Sequence, residues 1–246
     1  MNSPSPAFVG SVLLVSDDAI TIEQLREPIQ RLALSLEQCP DISSALSRLQ
    51  RAKFEAVIVD FRLGDKAGEV VQGTRKAASN EHAVIFTVSD GEEEAAQAFK
   101  VGSTFLLRRP LSASSIELSL KAAYGLIVRE RRRYFRCPVE VPVAILVANR
   151  PTVYGRSVNI SEGGMAVTAA AAPIKPGDTS RLHFTLPGDD FEFRLESTVC
   201  WLKEHKLGLQ FLSPHQISRL QEWLSSRLEE AMPQAVRDKF SAFPPD

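Results

Sequence analysis

Near residue 130 the hydrophobic period of this 246-residue chain changes, which calls for two folds joined end to end. Upstream, continuous apolar runs at Val12–Val15, Ala56–Val59, Ala83–Phe86 and Phe105–Leu107 alternate with amphipathic stretches near 20–34, 42–52, 67–77 and 91–101. Unbroken β-branched or bulky runs suit strands covered on both faces, and their alternation with helices predicts a parallel, doubly wound α/β sheet. Pro28 should kink or interrupt the first helix. A last helix is expected from a capping box at Ser114-x-x-Glu117, through Leu118, Ala122 and Ile127, into Arg131-Arg132-Arg133.

Downstream the period is two. Val141, Val143, Ile145 and Val147 alternate along the chain, as do Leu182, Phe184 and Leu186, and later Leu207, Leu209 and Phe211. Pro173, Pro176-Gly177 and Pro187-Gly188 punctuate these runs as turns. About six short strands in roughly 80 residues predict a small antiparallel β-barrel. A helical stripe over 213–231 (Ile217, Leu220, Trp223, Leu224, Leu228) should pack on it. The expected division is therefore an α/β domain over 10–129, a barrel with its C-terminal helix over 130–232, and a tail over 233–246.

Charge narrows the functions. The net charge is −3 over residues 1–124 and +2 over 125–246, so neither half is a nucleic-acid polyelectrolyte, and no helix-turn-helix pattern is present. Cys39, Cys137 and Cys200 are too few and too scattered for a disulfide framework or a zinc site, and each reads as a small core residue. No stretch approaches the ~18 apolar residues of a membrane span, so a cytoplasmic location is expected. His82, His183, His205 and His215 stand apart, and no nucleophile–base constellation emerges; the chain reads as non-enzymatic.

Two short segments carry chemistry in the second half. Arg132-x-x-x-Arg136 lies where the last helix hands over to the first strand of the barrel. Asn159-Ile160-Ser161-Glu162-Gly163-Gly164 lies between two strands. Arginine's fixed fork binds phosphate, or guanine O6 and N7, in a bidentate way. Asn159 and Ser161 offer a carboxamide and a hydroxyl. Gly163 and Gly164 allow positive φ and close backbone approach. In this order and on this strand pattern, the segments resemble the PilZ domain over roughly residues 130–230, including Val199, Trp201 and the 207–211 strand. The resemblance implies a receptor for cyclic di-GMP, bound by Arg131, Arg132, Arg136, Asn159, Ser161, Gly163 and Gly164. In that family a basic residue at the position of Arg131 is associated with two stacked ligand molecules. Trp201 reads as a core aromatic in preference to a guanine stacker.

The first half resembles the response-regulator receiver domain over residues 12–129. Asp60 ends a buried strand and is followed by Phe61-Arg62-Leu63-Gly64-Asp65, in the manner of a phosphoacceptor and its loop. The resemblance implies three carboxylates around Mg²⁺, a hydroxyl and a Lys-Pro pair. Here the acidic pair reads Ser16-Asp17, with Asp18 one place late, the hydroxyl is Thr87, and the Lys-Pro position reads Arg109-Pro110. Asp17 and Asp60 are the metal-ligand candidates, but a lost carboxylate and the larger guanidinium leave Mg²⁺ poorly provided for. The expectation is a degenerate receiver that docks a protein partner or pairs two copies of the chain through the apolar positions of 116–127. The connector helix runs into the arginines, so ligand binding is expected to reorient the receiver-like domain. The competing expectation is a phosphorelay response regulator, phosphorylated at Asp60, with the barrel as output.

Overall fold

The computed structural model describes residues 10–64, 66–169, 174–212 and 218–231, in two compact units divided between Arg131 and Arg132. The expectations for Asp65, Pro173, residues 213–217 and the 233–246 tail lie outside the described residues.

The first unit runs β1 (Gly10–Val15), α1 (Ala19–Arg31), β2 (Leu34–Cys39), α2 (Ile42–Arg51), β3 (Ala56–Asp60), α3 (Ala67–Lys76), β4 (Val84–Ser89), α4 (Glu92–Val101) and β5 (Phe105–Arg108). It continues into α5 (Ala113–Tyr134), which carries the chain across to the second unit. Its five strands pair in the order β2-β1-β3-β4-β5, all parallel. Every residue of β3 and β4 is buried, as continuous apolar runs require. Leu13, Val15, Val57, Val59 and Ile85 meet Leu49, Val70, Val71 and Ala98 from α2, α3 and α4 in one core.

Three local expectations need correction. Strand β2 was not anticipated: Leu34-Ser-Leu-Glu-Gln-Cys39, which overlaps the stretch assigned to the first helix only at Leu34, is a half-exposed edge strand, so it lacks an unbroken apolar run. Ala33, at φ 53°, separates it from the helix. Helix α1 passes through Pro28 as far as Arg31, with Pro28 buried in its last turns. Helix α5 is capped two residues earlier than expected. Ser112 Oγ accepts the Ser115 N–H at 3.2 Å, and Ser115 Oγ accepts the Ser112 N–H at 3.3 Å. Glu117 is left to pair with Arg31 and Lys121.

The second unit comprises β6 (Pro142–Val147), β7 (Val153–Ser161), β8 (Gly164–Ala169), β9 (Thr179–Thr185), β10 (Glu192–Lys203), β11 (Lys206–Phe211) and α6 (Ser218–Ala231). The strands close into an antiparallel barrel in the order β10-β11-β8-β7-β6-β9. Alternate residues fill it: Val143, Ile145, Ile160, Met165, Val167, Leu182, Phe184, Leu207 and Leu209, joined by Leu220 and Leu224 of α6. Cys39 and Cys137 are buried, but Cys200 is exposed. A register shift between Val199 and Trp201 sets Cys200 outside the regular alternation.

Candidate functional site

In the second unit, main-chain pairing joins the two motifs. Helix α5 ends as the Phe135 N–H reaches the Arg132 carbonyl at 3.2 Å, and the chain leaves it extended. Cys137 then forms an isolated antiparallel bridge with Ile160, donating to its carbonyl at 2.8 Å and accepting its N–H at 2.9 Å. Arg136 precedes the bridged cysteine, while Asn159 and Ser161 flank the bridged isoleucine. The arginine segment and the Asn-x-Ser strand end therefore lie side by side. Arg136 is exposed; Arg132 is half-buried, with Nη2 3.5 Å from Glu229 of α6.

A second register shift, between Ser157 and Asn159, turns Asn159 to the outer face of the barrel opposite Ala166, while Ile160 points into the core. Asn159 Oδ1 is buried without a hydrogen-bond partner, an acceptor awaiting a donor. Ser161 is 5% exposed, and its hydroxyl donates to the Gly164 carbonyl at 3.0 Å, closing the hairpin. The glycines differ from expectation. Neither has positive φ. Gly164 is needed for close approach, since a Cβ there would fall 2.1 Å from the Leu209 carbonyl oxygen, whereas one on Gly163 would meet nothing within 4 Å.

Trp201 is also placed differently from expectation. It is 40% exposed, on the outer face. Pairing aligns Trp201 with Gly208, Gly208 with Ala166 and Ala166 with Asn159, a single row across four strands. Its indole lies over Gly208, where a Cβ would sit 2.1 Å from Nε1. An aromatic face and an unsatisfied carboxamide thus share a row floored by glycine and alanine. The Val-x-Trp spelling suggested an inward residue; the register shift at Cys200 reversed it.

Arg131 belongs to the first unit, with Nη1 3.7 Å from Oε1 of the buried Glu55.

The site around Asp60 is filled by its own protein. Asp60 is fully buried, and its Oδ2 accepts from Ser16 Oγ and from Arg109 Nη2, each at 2.7 Å; Oδ1 accepts the Arg62 N–H at 3.1 Å. Arg109 Nη2 also donates to Thr21 Oγ1 at 2.7 Å and lies 3.7 Å from Asp18; its Nε lies 3.8 Å from Asp90, and its Nη1 is buried without a partner. Asp18 caps α1, accepting from Ile20, Thr21 N and Thr21 Oγ1, and the threonine hydroxyl leads in holding its carboxyl below the usual range. Asp90 receives Arg62 in a bidentate pair at 2.7 and 3.0 Å, which lowers its pKa in the same way. Thr87 is buried and bonded to Ser103 at 3.0 Å. Asp17 is exposed and takes no part in these bonds. The residues present do not fit a divalent cation: a guanidinium already occupies the space among Asp18, Asp60 and Asp90, and no cluster of three metal-ligating side chains occurs among the described residues.

Comparison with known proteins divides the chain in the same place. Residues 12–121 match the response regulator receiver domain and residues 130–226 match the PilZ domain. The chain is 30% identical over 104 residues to the mannuronan synthase of Pseudomonas aeruginosa, which spans 40% of this chain and 27% of that protein. It is 24% identical over 151 residues to the transcriptional regulatory protein QseB of Haemophilus influenzae, 61% of this chain and 66% of QseB. Over 122 residues it is 30% identical to the alginate biosynthesis transcriptional regulatory protein AlgB of P. aeruginosa, 49% of this chain and 27% of AlgB. The chain therefore spans about a quarter of the synthase and of AlgB, and just under two thirds of QseB. No described helix is long and apolar enough to cross a membrane.

Proposed function

We propose that this chain, a receiver domain followed by a PilZ domain, is a non-enzymatic signalling adaptor of the cytoplasm whose barrel binds cyclic di-GMP and passes the signal to a protein partner. The observation that carries this reading is the Cys137–Ile160 bridge, which sets Arg136 beside Asn159 and Ser161. Arg132 and Arg136 supply forks for phosphate or for guanine O6 and N7. The unsatisfied Asn159 Oδ1 accepts from a guanine amine, and Ser161 adds its hydroxyl at the same strand end. Gly163 leaves the tip of the hairpin open to the ligand. Trp201 offers its face to a base along the row that it shares with Asn159. The exposed segment after Tyr134 closes on the ligand, and its ordering reorients the receiver that α5 carries.

Phosphorylation at Asp60 draws partial support from the receiver match and the response-regulator relatives, but the carboxylate is buried and already bonded to Arg109. The receiver serves instead as a fixed docking or pairing module.

Isothermal titration of cyclic di-GMP into the intact protein tests the proposal. Saturable binding is expected, weakened about 10- to 100-fold by Arg132→Ala or Arg136→Ala and by a smaller factor in Trp201→Ala. Absence of binding to the wild type, or binding untouched by both arginine variants, would overturn it.

A further inference from the structure

The outer face of the barrel continues past the row that holds Trp201 and Asn159. The next outward row on the same four strands aligns Lys203 with Lys206, Lys206 with Thr168 and Thr168 with Arg156, and all four residues are exposed. Beside it lies a cavity of about 950 Å³. Its lining includes Pro138 and Val139 from the segment that follows Arg136, Tyr154, Arg156 and Val158 from β7, and His205 from the turn between β10 and β11.

Two features of the β10–β11 hairpin are unfavourable in the protein alone. Lys203 and Lys206 stand directly opposite each other across the ladder, where like charges repel, and neither meets a carboxylate among the described residues. Glu204, at the tip, holds φ 52°, in the left-handed region that glycine or asparagine enters at less cost. Arg156 does pair with Glu140, at 3.3 Å, but both side chains are largely exposed and such a pair exchanges easily for another carboxylate. Tyr154 stands 75% exposed at the cavity. Exposed tyrosine and arginine are the side chains that most often anchor a protein interface.

Resting on the adaptor reading above for the nature of the target, we propose that this face docks an acidic segment of the protein partner. Carboxylates of that segment pair with Lys203, Lys206 and Arg156 and relieve the repulsion between the lysines. Its apolar side chains enter the cavity against Pro138, Val158 and Tyr154. An anionic bilayer would meet the lysines and fill none of the cavity, and nucleic acid calls for a longer run of cations than this row presents. The face adjoins the cyclic di-GMP motifs without using their residues: Val158 precedes Asn159, and Pro138 follows Arg136 by two positions.

The test is selection of a random peptide display library on the immobilised intact protein, followed by fluorescence anisotropy with the selected peptides. These should combine aspartate or glutamate with aliphatic or aromatic residues, and their binding should weaken as salt rises. The double variant Lys203→Glu, Lys206→Glu should bind them at least about tenfold more weakly, because like charges then face each other. Tyr154→Ala should weaken them about three- to tenfold through the lost anchor, and this arm decides the matter if circular dichroism shows the lysine variant unfolded. No selected peptide, peptides without acidic residues, or acidic peptides that bind both variants as tightly as the wild type would overturn the proposal. Binding of phosphatidylglycerol vesicles or single-stranded DNA in place of peptide, lost in the lysine variant, overturns it by assigning the row to another polyanion. Displacement of the peptides by cyclic di-GMP overturns it by placing the lysines in the nucleotide site. None of these results overturns the cyclic di-GMP reading; a wild type that fails to bind cyclic di-GMP overturns that reading and leaves the peptides to decide this one.

Discussion

Asp60 and Asn159 both sit at or near the end of a strand, in segments that the sequence singles out, but their surroundings have opposite character. Asp60 has both oxygens engaged, by Ser16, Arg109 and the Arg62 backbone. Asn159 has a buried oxygen with nothing to bond, among arginines that are exposed or weakly held. Hydrogen-bonding groups buried without partners are unfavourable in an empty protein and become favourable once a ligand supplies what is missing. A self-satisfied site gains nothing from a ligand. The contrast separates a cluster whose polar groups the protein has paired off from one that keeps an unmet acceptor, although both read in the sequence as clusters of charged and polar residues.

The largest effect that could break this contrast comes from Arg109. Arg109→Ala leaves Asp60 as a buried, unpaired carboxylate, and loss of one partner of such a pair costs about 3–5 kcal/mol. Urea denaturation should show that loss, while cyclic di-GMP affinity should be nearly unchanged if the receiver pocket is purely structural. A stable Arg109→Ala protein would mean that the ion pair does not hold the pocket. Beryllofluoride with Mg²⁺ should leave the melting of the wild type where it was; clear stabilisation would reopen Asp60 as a phosphoacceptor.

Next in size is the pair of glycines in the barrel. Gly164→Ala drives a methyl into the Leu209 carbonyl, and such overpacking costs about 1–3 kcal/mol. Gly163→Ala has open space and should change stability by less than about 0.5 kcal/mol. Thermal denaturation of the two variants sharpens the comparison within one motif: the second glycine serves the packing of the barrel, and the first is under no such demand. Equal destabilisation would remove that distinction.

Much of this was legible in the sequence. Continuous apolar runs announced β3 and β4 because a central parallel strand is buried on both faces, and period-two alternation announced the barrel because each strand has one wet face. Strand β2 escaped because an edge strand is half polar. The two motifs could be read, but the Cys137–Ile160 bridge that unites them is a long-range main-chain pairing with no local signature. The register shifts at Val158 and Cys200 were likewise invisible, and they decide that Asn159 and Trp201 face outward together. Arg109-Pro110 was legible as a departure from the receiver pattern. That its guanidinium would lie among three carboxylates emerged only from the fold.

The smallest expected effect concerns Glu55 and is a matter of sign. In the unfolded chain its carboxyl titrates at the ordinary value; in the folded protein burial raises it. The folded state therefore keeps a proton to higher pH. The stability linked to that proton is fully present below the unfolded pKa and is lost as pH rises through the folded one. Glu55→Gln cannot titrate, so its stability should gain on that of the wild type as the pH rises from about 4, where an ordinary glutamate ionises, through the raised value of the folded protein. Urea denaturation across that range measures the difference. If the wild type gains instead, Arg131 is a stronger partner for Glu55 than a 3.7 Å contact implies.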